Sequence, residues 1–216
     1  MEVLIPFAAD APKSRLSPVL SPDERRAFAR AMLADVLGAI EASGRDPRVL
    51  ATAPIDVDAT VTVDERPLSE AVNARLDEHF GSPAPRRSVS ADPLAVVMAD
   101  LALATPSSLD RLFDASADVA LAPGRGGGTN AFLTRHPDFR VDYHGTSYLD
   151  HRRIASEIDA SVAVVDSVRL STDVDEPADL VEVLCHGDGR ARDYLDDAGF
   201  ELETTDGRVT VSRPGR

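Results

Sequence analysis

The chain has little of what marks secreted, membrane-spanning or polyanion-binding proteins. Its single cysteine, Cys185, leaves neither a disulfide framework nor a clustered thiolate zinc site available. The setting of that cysteine in the helical pattern LVEVLCH predicts a buried structural thiol. No stretch approaches the roughly 20 apolar residues that span a bilayer. The N-terminal MEVLIPFAAD carries an acid at position 2 and only a short apolar run, unlike a signal peptide, so a cytoplasmic protein is expected. Positive charge is scarce as well: 37 acids against 23 bases give a formal net charge of -14, which repels nucleic acid and anionic membranes. Lysine is scarcest, with Lys13 alone beside 22 arginines. Such an acid excess fits a solvated carboxylate surface in high salt, where long-range repulsion is screened, and points to a halophilic archaeal source. His79, His136, His144, His151 and His186 show no HxxxH spacing for a metal. Of these, His151, four residues after Ser147, is the one placed to approach a shared cleft.

What is present is a chain of 216 residues, 43% hydrophobic, enough for one sizeable core and short for two, so a single domain over 1–216 is expected. Val3 to Phe7 reads as a short buried strand before the breaker-rich AADAPKSRLSP, with Pro6 limiting its central pairing. Ser21, Pro22, Asp23 and Glu24 start a helix whose apolar stripe is Phe28, Met32, Leu33, Val36, Leu37 and Ile40. Strands are expected at 48 to 53 and 60 to 63, then a helix through Leu68, Val72, Leu76 and Phe80. After a Ser-, Pro- and Arg-rich loop over 82 to 93, LAVVMAD predicts a central parallel strand ending in Asp100. Thr105 and Pro106 start a further helix. AFLTR, FRVDY and the segments at 118 to 123 and 161 to 166 are strand candidates. Ser147 is read as the cap of a helix through Tyr148 and Ile154, and Pro177 opens the helix ADLVEVL. Alternation around Asp206-Gly207 predicts a β-hairpin at about 200 to 213. Strands alternating with helices define a three-layer α/β fold with a mainly parallel sheet.

In such a sheet ligands bind beyond the carboxyl ends of the strands, so polar residues just after apolar runs are the candidates for chemistry. Lys13 supplies a compact ammonium suited to phosphate, with Arg15 as a second phosphate candidate; chance retention of a surface lysine is the alternative. Asp100 is placed to hold a divalent cation or simply to end its strand. GRGGGTN at 124 to 130 has the open amides of an anion-holding nest, with Thr129 and Asn130 adding side-chain donors, and equally the composition of a hairpin turn. In DVDEP, Asp173 and Asp175 lie two apart and face one side of an extended segment, which suits magnesium. The same acids also suit entry into the next helix.

Taken in order, IPF, KSRLSPVLSPDERRAFARAMLADVL, ADLAL, APGRGGGTNAFL, YHGTSYLDH and STDVDEPADL resemble one family over residues 3 to about 184. That family is the 2-phospho-L-lactate guanylyltransferases of deazaflavin coenzyme F(420) biosynthesis. The resemblance implies a nucleotidyltransferase fold similar to the nucleotide-binding domain of type A glycosyltransferases. It implies a reaction of GTP with a small phosphorylated carboxylic acid that releases pyrophosphate, with Mg2+ as cofactor and a homodimer as the assembly. Asp100, Asp173 and Asp175 are then the metal-binding acids, and Lys13 and Asp100 the catalytic pair. Thr129 and Ser147, with Gly128, Asn130 and Gly145, hold the phosphorylated acid, while Pro6, Lys13 and Arg15 face the nucleotide. Two positions depart from the family pattern: Ala102 stands where proline is common after the strand acid, and His144 intervenes between Tyr143 and Gly145. The loops around Pro6 and residues 68 to 73 are candidates for reading the base. Phosphoenolpyruvate as the acid, sugar transfer from a nucleotide-sugar, and a non-catalytic nucleotide-binding module are the competing readings.

Overall fold

Seven strands lie side by side in the computed structural model, which describes residues 1–10, 12–81 and 92–214. They are β1 (Glu2–Phe7), β2 (Asp46–Ala51), β3 (Thr60–Val63), β4 (Leu94–Val97), β5 (Val119–Pro123), β6 (Thr129–Thr134) and β7 (Val162–Val164). Their order is β3-β2-β1-β4-β6-β5-β7. Every pair is parallel except those made by β6, which runs antiparallel to both β4 and β5. The cause is local: the GRGGG turn between β5 and β6 is too short for the crossover that parallel strands need. LAVVMAD is therefore central but parallel to only one neighbour. Pairing of β1 with β4 stops at Leu4, two residues before Pro6, while pairing with β2 continues to Phe7. Most of the loop expected over 82 to 93 lies outside the described residues.

Alternation along the strands separates two apolar faces, as the two-residue period of a strand requires. Val3, Ile5, Val49, Ala95, Val97, Ala120 and Leu133 pack with α1 (Pro22–Ala42), α3 (Pro106–Phe113), α5 (Val168–Ser171), α6 (Leu180–His186) and α7 (Arg190–Asp197). Leu4, Leu50, Leu94, Val96, Leu121 and Phe132 face α2 (Leu68–Phe80) and α4 (Ser147–Glu157). Helix, sheet and helix make the three layers expected. The start of α1 is fixed as its sequence dictates: Ser21 accepts from the Glu24 N–H, Glu24 reaches back to the Ser21 N–H, and Pro22 occupies the first turn. No described helix is long and apolar enough to cross a membrane.

Three local expectations are corrected. FRVDY is not a strand, because the Asn73 side chain takes both backbone groups of Val141, accepting from its N–H at 2.8 Å and donating to its C=O at 2.9 Å. A helix side chain thus supplies the pair of bonds that a neighbouring strand would. Cys185 is exposed, since α6 turns Leu180, Val183 and Leu184 inward at helical spacing and leaves the next position outside. Ser147 is the first residue of α4 and Thr146 its cap, which frees the Ser147 hydroxyl for another partner. The tail forms β8 (Glu201–Thr205) and β9 (Arg208–Ser212), joined at Asp206-Gly207 with both residues at positive φ, as a tight hairpin turn requires. Val211 rests on the core while Leu202 and Val209 remain exposed.

Candidate active site

The ends of β1 and β4 and the DVD segment converge on one ammonium. Lys13 follows β1 in a left-handed backbone conformation (φ 56°, ψ 45°) and leads into a single 3-10 turn, Ser14–Leu16. Its Nζ donates to Asp100 Oδ2 at 2.7 Å and to Asp175 Oδ1 at 2.6 Å. Arg15 Nη1 lies 3.4 Å from the other Asp175 oxygen. The backbone closes the arrangement, with the Val174 N–H donating to the Asp100 carbonyl at 3.2 Å. Asp179 fixes the DVD segment from behind by accepting from the N–H groups of Asp175 and Glu176. Burial by itself would lower the Lys13 pKa, but the carboxylates of Asp100 and Asp175 hold it above its ordinary value. Asp100 moves upward because burial disfavours its charge more than Lys13 restores it. Its Oδ1 is buried without a hydrogen-bond partner among the described residues.

Asn130 joins this centre to a second one. Its Nδ2 donates to Asp173 Oδ1 and to the Leu170 carbonyl, both at 3.0 Å, so the amide orients an acid rather than facing outward. A Cβ at Gly124 would sit 2.4 Å from Asn130 Oδ1, so only glycine lets that side chain pack across the turn. One residue earlier, the Thr129 N–H donates to Ser147 Oγ at 3.0 Å, and Thr129 Oγ1 meets His151 Nδ1 at 2.9 Å. The Asp142 N–H donates to His151 Nε2 at 3.0 Å, making that nitrogen the acceptor. The neutral ring therefore carries its proton on Nδ1 and donates it to Thr129. Thr129 Oγ1 thus accepts, and its own hydrogen is left for a ligand. Ser147 Oγ, accepting from Thr129, is in the same position.

Burial lowers His151 to a pKa of about 4 from 6.5, which keeps this relay neutral at pH 7. The unfolded chain takes up the proton near the ordinary value and the folded chain only near the lower one. The neutral ring's contribution to stability is therefore complete above the higher pKa and is lost as pH falls through the lower. It amounts to about 3 kcal/mol. Urea unfolding between pH 7 and 4 should show wild type losing that much more stability than His151→Gln. Equal slopes for the two proteins would remove His151 from the relay.

A cavity of about 430 Å³ opens over the ends of β1, β2 and β4. Pro6, Lys13, Arg15, Asp100 and Asp175 line it, as do Thr52, Asp64 and Arg66, which sequence reasoning did not single out. Nothing in their spacing marks these three; strand order alone brings them in. Gly128 lies beside Ser147 Oγ, whereas Gly145 is an exposed turn residue at φ 54° before α4. The glycine run itself makes the hairpin between β5 and β6, with the Gly124 N–H bonded to the Gly128 carbonyl and the Gly127 N–H to the Gly124 carbonyl. Among the described residues no three His, Cys, Asp or Glu side chains form a ready metal cage.

A mainly parallel sheet with an acid-bearing cavity beyond its strand ends is an open α/β fold with its ligand crevice where such sheets place it. A Desulfovibrio desulfuricans G20 chain assigned to the nucleotide-diphospho-sugar transferases shares the fold, with a TM-score of 0.70 at 16% identity over 91% of this chain and 94% of its own. The family is narrower than the fold. Residues 1–214 match the family model described as "Guanylyl transferase CofC like", and the chain belongs to that family. Two relatives carry the name 2-phospho-L-lactate guanylyltransferase. The one from Halomicrobium mukohataei is 62% identical over 214 residues, 99% of this chain and 100% of the relative. The one from Halorubrum lacusprofundi is 60% identical over 222 residues, with the same coverage of 99% and 100%. Both sources are haloarchaeal, in keeping with the acid excess.

Proposed function

We propose that the chain transfers a guanylyl group from GTP to 2-phospho-L-lactate, giving lactyl-2-diphospho-5'-guanosine and pyrophosphate in deazaflavin coenzyme biosynthesis. The observation that carries this reading is the continuous link from Lys13, Asp100 and Asp175 through Asp173 and Asn130 to the hydroxyls of Thr129 and Ser147. The charge-handling centre lines the cavity, and the two buried hydroxyls are tied to it through Asn130 and Asp173, which supports a reaction between two anions. The names of the full-length relatives supply the acid and the transferred guanylyl group.

In the reaction a phosphate oxygen of the acid attacks the α-phosphorus of GTP while the bond to the departing pyrophosphate breaks. The nucleophile needs no strong general base, because a second phosphate pKa near 6 leaves it ionised at neutral pH. Lys13, held charged by its carboxylates, offsets negative charge on the triphosphate, with Arg15 at the cavity mouth. Thr129 and Ser147 donate to the phosphorylated acid and fix its approach, and His151 aims the Thr129 hydroxyl as a positioning residue.

The residues fit a magnesium ion. Two carboxylates, Asp100 and Asp175, face one lysine, Asp173 stands two residues before Asp175 and is held by Asn130, and the unpartnered Asp100 Oδ1 is a ready ligand. Magnesium is ordinarily held by one or two carboxylates with water and substrate phosphates completing its shell, so no preformed cage is needed. Asp100, Asp175 and Asp173 would hold it, and when bound it supplies Lewis-acid stabilisation of phosphate charge. Cytoplasmic work as a homodimer completes the reading, with the exposed Leu202 and Val209 of the hairpin available to a second copy.

Pyrophosphate release from GTP, measured separately with 2-phospho-L-lactate and with phosphoenolpyruvate, tests the assignment. The higher kcat/KM should belong to the lactate. A preference for phosphoenolpyruvate would replace the acid, and no release with either would sink the transferase reading.

A further inference from the structure

The cavity contains a second polar cluster that phosphate chemistry leaves unused. Asp64 and Arg66 follow β3, beside Thr52 after β2, while Asp100 follows β4. In the sheet order β3-β2-β1-β4 these ends are three strand spacings apart, about 14 Å. That separation is on the scale of a nucleoside monophosphate, so a nucleotide whose α-phosphate sits at Asp100 places its base at Asp64.

Asp64 is held rigidly. Its N–H donates to the Ala51 carbonyl at 2.9 Å, extending the β2–β3 ladder by one bond, and its side chain is only 10% exposed. The Arg66 guanidinium lies on the carboxylate as a two-donor fork, Nε to Oδ1 at 2.9 Å and Nη2 to Oδ2 at 2.5 Å. These bonds hold the Asp64 carboxyl below the usual carboxylate range, so it is an ionised acceptor. Arg66 itself is 50% exposed, and its backbone N–H also donates to Asp64 Oδ1 at 3.1 Å.

The Watson–Crick edge of guanine is chemically the same fork. N1–H and the N2 amino group flank C2 as two parallel donors, a guanidine fragment within the ring. Adenine and cytosine each present a donor beside a bare ring nitrogen, and uracil a single N–H between two carbonyls. An ionised carboxylate accepts two parallel donors and repels a carbonyl or bare nitrogen.

We infer that Asp64 is the base-reading residue: its carboxylate takes N1–H and N2–H of guanine, and Arg66 holds that place until the nucleotide displaces it. The assignment rests on the nucleotide substrate being GTP, as proposed above.

The test compares GTP with xanthosine triphosphate, in which a carbonyl replaces the amino group at C2, on wild type, Asp64→Asn and Arg66→Ala. Asparagine offers a donor to that carbonyl and an acceptor to N1–H. The kcat/KM ratio of xanthosine triphosphate to GTP should therefore rise by about 100-fold or more in Asp64→Asn. Arg66→Ala should keep the guanine preference and lower KM for GTP, because the internal competitor is gone. An unchanged ratio in Asp64→Asn would overturn the assignment. Loss of guanine preference in Arg66→Ala would overturn it too, by making the arginine the reader. A ratio of two nucleotides on one sample does not depend on how much of that sample is folded. If wild type transfers nothing from GTP, the proposed reaction falls, and equilibrium binding of the two nucleotides to the same three proteins decides the base assignment independently.

Discussion

Asp100→Asn is expected to lower kcat for pyrophosphate release by about 10²- to 10³-fold at saturating GTP while leaving the unfolding temperature unchanged or raised. The two halves have one cause. Asp100 Oδ2 is held by Lys13, but Oδ1 is buried with no partner among the described residues, an arrangement that disfavours the folded chain on its own. Asparagine has the same shape, keeps an oxygen for Lys13 and removes the buried charge. The fold gains or loses little, whereas the charge that balances Lys13 and would bind the cation is lost. Steady-state kinetics and thermal unfolding on one preparation separate these effects. A kcat within tenfold of wild type would take Asp100 out of the catalytic centre, and a large fall in unfolding temperature would make it a structural residue.

That separation of roles also explains what the sequence disclosed. Elements whose apolar pattern and caps agree are legible: α1 from Ser21-Pro22 and its stripe, α3 from Thr105-Pro106, the apolar core strand before Asp100, and the hairpin around Asp206-Gly207. FRVDY misleads because a side chain takes over a backbone role there, as Asn73 does at Val141, and no local pattern records a partner 68 positions away. Cys185 misleads because LVEVLCH is largely apolar, and only packing against the sheet decides which side of so short a helix is inner. The site divides in the same way. Lys13, Asp100, Thr129 and Asp175 stand out in the sequence as polar residues in the segments that follow apolar runs or turns, whereas Ser147 reads there as a helix cap and its site role comes from the family resemblance. Thr52, Asp64 and Arg66 do not stand out, since their place in the cavity follows from β3-β2-β1-β4 order, a property of the whole sheet. The His151 relay needs three segments to meet: the start of β6, the loop at Asp142 and the second turn of α4.

Lys13 combines charge with backbone strain, and two sets of substitutions should separate them. Lys13→Gln removes the ammonium between Asp100 and Asp175 and should lower kcat by about 10²- to 10³-fold, as loss of a preorganised electrostatic group does. Lys13→Arg should not restore it, because the space between oxygens 2.6 and 2.7 Å from a single nitrogen suits a point charge and not a planar fork. The backbone is a separate matter. At φ 56° a side chain crowds the following carbonyl, and the left-handed conformation costs a non-glycine residue roughly 1 to 2 kcal/mol. Lys13→Ala and Lys13→Gly both leave the two carboxylates facing each other, so that penalty cancels between them. The glycine variant should then be the more stable by about 1 kcal/mol in urea unfolding, opposite in sign to the usual alanine-to-glycine exchange. Both should be as inactive as Lys13→Gln. If alanine proves the more stable, the loop holds its shape without strain; if Lys13→Gln keeps kcat within tenfold of wild type, the ammonium does not act on the phosphates. The expected pattern, a backbone strained to deliver one charge to two carboxylates at the mouth of a cavity, is how a functional loop differs from a merely exposed one.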